Sequence, residues 1–282
     1  MRIAQIQSLV SGRKEENLDR MEEEFCRLDG QGIDLVMFGE MFCCPYETPA
    51  FPLYAEKEGG RTWQRLSSMA RDHRVILSAG TMPETDEGGH VYNTAFVFDR
   101  EGRQIARYRK RHLFEVDIPA DPAAGRPCQS FHESETLTAG KETVTFDTEF
   151  GRLGICICFD MRFPDQFRDM ALAGARLILV PAAFNLSTGP VHWDLLHRSN
   201  ALSSQCFIAA TSTARNEHAS YVSYGHSMLV SPWGNVISEL DEAPGTLITD
   251  IDLAEADRIR QQLPVLSAIK TEAAGLPRRT IS

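Results

Sequence analysis

The sequence predicts a layered α/β fold. Short strand-like runs alternate with amphipathic helical patterns along all 282 residues, and several strands are followed by hairpin turns. The run 33–38 is apolar throughout, as in a strand covered on both faces. No Pro- or Gly-rich linker and no internal repeat divides the chain, so residues 1–282 read as one domain, with 265–282 as a C-terminal tail.

Each element has its own signal. Residues 2–8 alternate with period two, a strand-like run. The segment 15–30 places Leu18, Met21, Phe25 and Leu28 three and four apart and stops at glycine, so it reads as an amphipathic helix. The strand 33–38, a helix over 62–71 and an apolar strand over 75–79 follow. Val91–Phe98 and 104–108 flank Asp99-Arg100-Glu101-Gly102, a hairpin turn. The segment 115–140 has no periodicity and is expected to be a long loop serving as a lid. Then come strands 143–147 and 153–157, a helix over 164–173, strand 177–180, a helix over 191–202 and strand 206–211. Strands near 227–230, Val236–Glu239 and 247–251 precede a helix that begins near Ala254.

Composition removes several function classes. With 39 acidic residues against 29 basic, the net charge is −10, and the chain lacks the basic footprint of a nucleic-acid partner. No window approaches the ~18 apolar residues of a membrane span. The first residues alternate where a signal peptide would run apolar, so none is expected. Seven cysteines are an odd number without an export signal, which predicts free thiols in a reducing cytoplasm.

Three strand ends present reactive groups. The run 33–38 leads to Glu40, 104–108 leads to Lys110, and 153–157 leads to Cys158. Binding groups in layered α/β folds collect outside strand ends, so these three could converge. A carboxylate can take a thiol proton, and a fixed ammonium can hold the oxyanion that forms after thiolate attack. Taken singly, each residue has a plainer reading. Alternation puts Cys156 and Cys158 on one strand face as packed core thiols. Glu40 reads as a solvated strand-end carboxylate, and Lys110 as part of an exposed basic cluster with Arg107, Arg109 and Arg111. Glu133 lies in a polar loop, and Arg162 serves equally as an ion-pair partner of Asp160 or Asp165. Cys43, Cys44 and Tyr46, close after Glu40, read as pocket wall.

No metal site is expected. Cys-x-Cys has one spacer where zinc motifs have two to four, and His192 and His197 are five apart where a helical zinc pair needs four. Gly225-His226-Ser227-Met228-Leu229 begins like a serine nucleophile elbow, but Leu229 stands where the second glycine belongs, so the segment reads as packing.

Four stretches carry a family resemblance: Arg109-Lys110-Arg111-His112-Leu113-Phe114, Cys158-Phe159-Asp160-Met161-Arg162-Phe163, Ala183-Phe184-Asn185-Leu186-Ser187-Thr188-Gly189-Pro190-Val191-His192-Trp193 and Tyr224-Gly225-His226-Ser227. With Glu40 they resemble the nitrilase superfamily of carbon–nitrogen hydrolases, over 2–264, and within it the ω-amidases. The resemblance implies an α-β-β-α sandwich, no cofactor and no metal, and a homodimer or larger homo-oligomer. It implies Cys158 as nucleophile, Glu40 as general base, Lys110 as oxyanion stabiliser and Glu133 as the second glutamate that orients Lys110. The Phe159 N–H would complete the oxyanion hole. Arg162 matches the carboxylate-binding arginine, and Phe184 and Thr188 match positions lining the same pocket. The implied substrates are dicarboxylic acid monoamides such as 2-oxoglutaramate and 2-oxosuccinamate, with deaminated glutathione as the alternative. The stretch 120–129 is longer than its counterpart in such relatives, and the tail lacks their basic-aspartate-aromatic ending.

Overall fold

A computed structural model of the chain describes residues 1–124 and 128–269. The first part of the chain forms β1 (Arg2–Gln7), α1 (Lys14–Leu28), β2 (Leu35–Phe38), α2 (Ala50–Tyr54), α3 (Arg61–His73), β3 (Ile76–Ser78), β4 (Met82–Thr85), β5 (Val91–Phe98) and β6 (Gln104–Arg109). The second forms β7 (Glu115–Ile118), β8 (Gln129–His132), β9 (Val144–Thr148), β10 (Gly151–Ile155), α4 (Pro164–Leu172), β11 (Leu177–Ala182) and α5 (Gly189–Ser204). It continues with β12 (Phe207–Ser212), β13 (Met228–Val230), β14 (Val236–Glu239), β15 (Gly245–Asp250) and α6 (Ala254–Gln262).

Two sheets result. One runs β15-β1-β2-β3-β5-β4 with β6 on β5, and the other runs β14-β13-β12-β11-β10-β9. In each, three central strands are parallel (β1-β2-β3 and β10-β11-β12) and the flanking strands are antiparallel. Ile3, Leu35, Met37 and Val97 of the first sheet share one core with Leu153, Ile155, Ile178 and Ile208 of the second. On the outer face of the first sheet, Val36, Phe38 and Leu77 pack against Leu18, Met21 and Phe25 of α1 and Leu66 and Met69 of α3. Phe167 and Met170 of α4 and Trp193 and Ala201 of α5 join the core from the second sheet's side. The layering is helix, sheet, sheet, helix: the α-β-β-α sandwich that the resemblance implied. Both sheets are covered, so the central strands are buried except at the starts of β1 and β10, and the parallel arrangement is satisfied.

One expectation needs correction, and two elements gave no signal. The strand read in 2–8 is present as β1, with Ile3–Gln7 buried throughout. The two glutamines face the second sheet and stay hydrogen-bonded there. Gln5 Nε2 donates to Ala210 O at 2.7 Å and Met228 O at 3.1 Å, and Gln7 Oε1 accepts from Ser227 N at 2.8 Å. A buried amide is tolerated when its hydrogen bonds are made. The segment 115–140 is not one loop: β7 and β8 pair as an antiparallel ribbon, and a 3₁₀ turn at Glu133–Glu135 follows. Those strands are short, polar and half-exposed, so they leave no hydrophobic period to read. Helix α2 and strand β4 carry Pro52 and Pro83, which mask them as breakers in the sequence. Residues 125–127 of the stretch 120–129, and the tail from Lys270, lie outside the described residues.

The sheets approach closely where β2 ends. A Cβ on Gly39 would come within 2.8 Å of the Ser212 and Thr213 backbone. Gly39→Ala is therefore expected to push the sheets apart beside Glu40, at a cost of about 1–3 kcal/mol. The check is urea unfolding, where the midpoint falls and the slope stays unchanged.

Candidate active site

The C-terminal edges of the parallel strands carry the reactive groups. Past β2, the chain turns at Gly39-Glu40-Met41, with Met41 at φ +51°. Glu40 N donates to Ala182 O at the end of β11 (3.3 Å), and Met41 N donates to Thr81 Oγ1 (2.8 Å). Past β6, Lys110 N donates to Asn93 O (2.9 Å) and Lys110 O accepts from Gly140 N (2.7 Å). The strand β10 stops at Ile155, two residues earlier than the sequence suggested. Cys158 opens a 3₁₀ turn over Cys158–Arg162 with φ +44°. It therefore does not share a strand face with Cys156. A non-glycine residue at positive φ is strained, and here the strain turns the thiol out of the strand.

Glu40, Lys110 and Glu133 meet in full burial, which excludes the exposed readings of all three. Lys110 Nζ donates to Glu40 Oε1 at 2.8 Å and to Glu133 Oε2 at 3.0 Å. The Tyr46 hydroxyl donates to Glu133 Oε1 at 2.7 Å and lies 3.2 Å from Glu40 Oε1. Asn93 Nδ2 donates to Glu40 Oε1 at 2.8 Å, and Phe114 N donates to Glu133 Oε2 at 2.7 Å. Glu40 Oε1 is thus saturated with donors, while Glu40 Oε2 is buried with no standard hydrogen-bond partner. The Cys158 thiol interacts with this same carboxylate.

The electrostatics follow from burial and pairing. Burial pushes the Glu40 carboxyl up, and the Lys110 charge works against that. Burial favours loss of the Lys110 proton, but the charges of Glu133 and Glu40 outweigh it and hold the ammonium above its ordinary range. Burial and then the Glu40 charge push the Cys158 thiol well up, opposed by Lys110. The site therefore sets a buried thiol and an ammonium beside a carboxyl group with one oxygen free of hydrogen-bond partners.

Asp160 ties these loops together, and sequence reasoning assigned it no such role. Its fully buried carboxylate accepts Tyr108 OH at 2.6 Å and Ile157 N at 2.9 Å on Oδ2. On Oδ1 it accepts His112 N at 3.0 Å, with the His112 ring Nδ1 at 2.7 Å. Tyr108 and His112 stand two residues either side of Lys110, and Ile157 precedes Cys158. One carboxylate thus sets the spacing between the ammonium loop and the thiol turn.

Beside the thiol, the Arg162 guanidinium lies 5.4 Å from the Phe159 ring and 5.5 Å from the Phe184 ring. Asp160 is engaged as above, and Asp165 pairs with Arg168 at 2.9 Å, so neither pairs with Arg162. No carboxylate of the described residues forms an ion pair with Arg162. Its polar neighbour is His192 Nδ1 at 3.2 Å, an imidazole that burial and then the Arg162 charge hold below its ordinary value. Phe184 packs edge-on against Trp193 at 5.0 Å, and Thr188 donates from N and Oγ1 to Asn185 Oδ1.

Two further neighbours were assigned no role from the sequence, although Asn185 stands in one of the stretches that carry the resemblance. Tyr221 stacks on Tyr46 at 4.5 Å and donates to Ala183 O at 2.6 Å; after burial, the Cys158 and Glu40 charges push its hydroxyl up. Asn185 Nδ2 is buried without a partner. A cavity of about 290 Å³ opens beside Glu40, Tyr46 and Tyr221. Cys44 packs with Tyr46, but Cys43 belongs to the core behind the first sheet, where burial pushes its thiol up to about 12.

Residues 1–261 match the family described as carbon-nitrogen hydrolase. The chain is 42% identical over 264 residues to the Homo sapiens omega-amidase NIT2, covering 94% of this chain and 93% of that relative. The Danio rerio omega-amidase NIT2 is 40% identical over the same share of this chain and 92% of its own. Among solved structures, Saccharomyces cerevisiae Nit3, a member of branch 10 of the nitrilase superfamily, superposes with a TM-score of 0.85. It is 34% identical, over 99% of this chain and 97% of its own. The C. elegans NitFhit protein gives 0.83 at 31% identity, over 94% of this chain and 64% of its own.

Asp160→Asn turns one acceptor oxygen into a donor that faces existing donors. A buried donor left unpaired costs about 1–3 kcal/mol. If that cost falls on the Lys110–Cys158 spacing, kcat drops by roughly 10–100-fold while KM changes little. Steady-state kinetics of the folded variant check this split.

Proposed function

Because the chain belongs to the carbon–nitrogen hydrolase family, we propose that it is an ω-amidase. It hydrolyses the terminal amide of dicarboxylic acid monoamides such as 2-oxoglutaramate and 2-oxosuccinamate to the acid and ammonia. The observation that carries this substrate class is Arg162, a guanidinium beside Cys158 with no acidic partner among the described residues. A planar guanidinium pairs a carboxylate bidentately, so it suits the end of the substrate remote from the amide. On this reading Phe184, Thr188 and Tyr46 contact the substrate between its two ends.

The chemistry runs through a Glu-Lys-Cys triad. Glu40 takes the Cys158 proton on its free oxygen, and the thiolate attacks the amide carbon. Lys110 and the Phe159 N–H hold the oxyanion. Glu40 returns the proton to the departing ammonia, which leaves a thioester on Cys158. Glu40 then activates a water that cleaves the thioester and releases the acid. Glu133 and Tyr46 keep Lys110 charged and aimed. No cofactor or metal enters these steps.

The enzyme works as one catalytic unit spanning 1–282, since Glu40 and Lys110 follow strands of one sheet and Cys158 a strand of the other. It acts in the cytoplasm on a small molecule, with no nucleic-acid or membrane partner. Among the described residues no helix is long and apolar enough to cross a membrane. A homodimer is supported by the exposed Val191, Leu195 and Leu202 of α5, with Trp233 and Ile237 also exposed.

Three outcomes are expected. Ammonia release, with Cys158→Ala as blank, should show a much higher kcat/KM for 2-oxoglutaramate than for deaminated glutathione; the reverse order overturns the substrate. Arg162→Lys should raise KM at least about tenfold through loss of the two-pronged contact, and an unchanged KM removes Arg162 from substrate binding. Glu40 must be ionised to act, and burial raises its carboxyl. Activity should therefore fall as the pH drops through a point above the ordinary carboxylate range, read from the acid limb of kcat/KM.

A further inference from the structure

A second cluster of donors lies at the opposite edge of the first sheet. Helices α1 and α3 run back to the starts of β2 and β3, whereas Glu40 follows the far end of β2. The two helix C-termini bring together Cys26 in the last turn of α1, Asp29 at its cap and His73 at the end of α3. One donor atom from each of the three lies within 4.8 Å of the others. Asp29 Oδ1 and His73 Nδ1 are 2.7 Å apart, and the His73 ring is held edge-on against Phe25 at 5.2 Å.

We propose that Cys26, Asp29 and His73 form a binding site for a divalent cation of the zinc type. Thiolate, imidazole and carboxylate are the donor set that Zn²⁺ takes, and three protein donors leave the fourth tetrahedral position to water. Both helix dipoles present their negative ends here, which favours a cation. Glu22, one turn before Cys26, lies close enough for its charge to interact with His73, and Arg65 pairs with it. Arg27 pairs with Glu24, so it does not occupy the site. Cys26 and Asp29 are exposed and His73 is partly so, which leaves the ion a path in.

Binding requires defined proton movements. The Cys26 thiol gives up its proton to solvent, and the His73 ring carries its proton on Nε2 so that Nδ1 faces the ion. The Asp29–His73 hydrogen bond is replaced by two metal bonds. Affinity therefore rises with pH, with about one proton released per ion. The ion bridges α1 to α3, so it should also raise the melting temperature in a concentration-dependent way.

Cobalt(II) and zinc are the probes. Titrating the intact protein with Co²⁺ should give a thiolate-to-cobalt charge-transfer band that saturates at one ion per chain and is displaced by Zn²⁺. Cys26→Ser should abolish the band, and Asp29→Asn and His73→Gln should each weaken binding at least about tenfold. Cys128→Ser, which removes another exposed thiol, should leave it intact. All four variants sit outside the proposed catalytic machinery, so unchanged amidase turnover verifies their fold. No band in the wild type, or a band that survives Cys26→Ser or is undiminished in His73→Gln, overturns the site.

Discussion

A fully buried ammonium has to be paired, and the arrangement of the site follows from that requirement. Lys110 has no access to solvent, so its charge persists only because Glu40 and Glu133 stand within 2.8–3.0 Å. Those glutamates in turn need donors. Asn93 supplies one to Glu40, and Tyr46 and the Phe114 backbone supply them to Glu133. Such a network is weak evidence of stabilisation, because its desolvation offsets much of its attraction. What it achieves is placement: an ammonium that keeps its proton beside a carboxylate with one oxygen free.

Asp160 extends the same logic across the two sheets. Lys110 follows a strand of the first sheet and Cys158 a strand of the second, so side-chain packing alone leaves their separation loosely defined. The Asp160 carboxylate receives donors from both loops at 2.6–3.0 Å and removes that slack. It also helps to hold the turn in which Cys158 keeps a positive φ, a conformation that persists only when its surroundings impose it. Arg162, in the last position of that turn, lies against the Phe159 and Phe184 rings and the His192 imidazole rather than a neighbouring acid.

Legibility in the sequence tracked burial. Val91–Phe98 and Val236–Glu239 match their expected bounds, and the central strands lie within a few residues of theirs. The central strands are largely apolar because both faces are covered. Signals failed where structure is not built on apolar period. The β7–β8 ribbon is polar, and α2 and β4 contain proline. Tyr221 and Asn93 had no local pattern to reveal them, since each reaches the site from a different loop or strand.

The sequence by itself determined the layered α/β class, the order of the apolar strands and longer helices, and which strand ends carry a carboxylate, an ammonium and a thiol. Those depend on local period and on residue type, and both are written along the chain. Only the tertiary structure decided that Glu40, Lys110 and Glu133 share one buried network, that Arg162 is free of Asp160 and Asp165, and that Cys26, Asp29 and His73 adjoin. The first joins residues tens of positions apart, the second depends on Asp160 being held by Tyr108 and His112 far back in the chain, and the third needs His73 brought to the end of α1. Contact between them depends on how the sheets stack and where the loops close, and no spacing in one dimension encodes that.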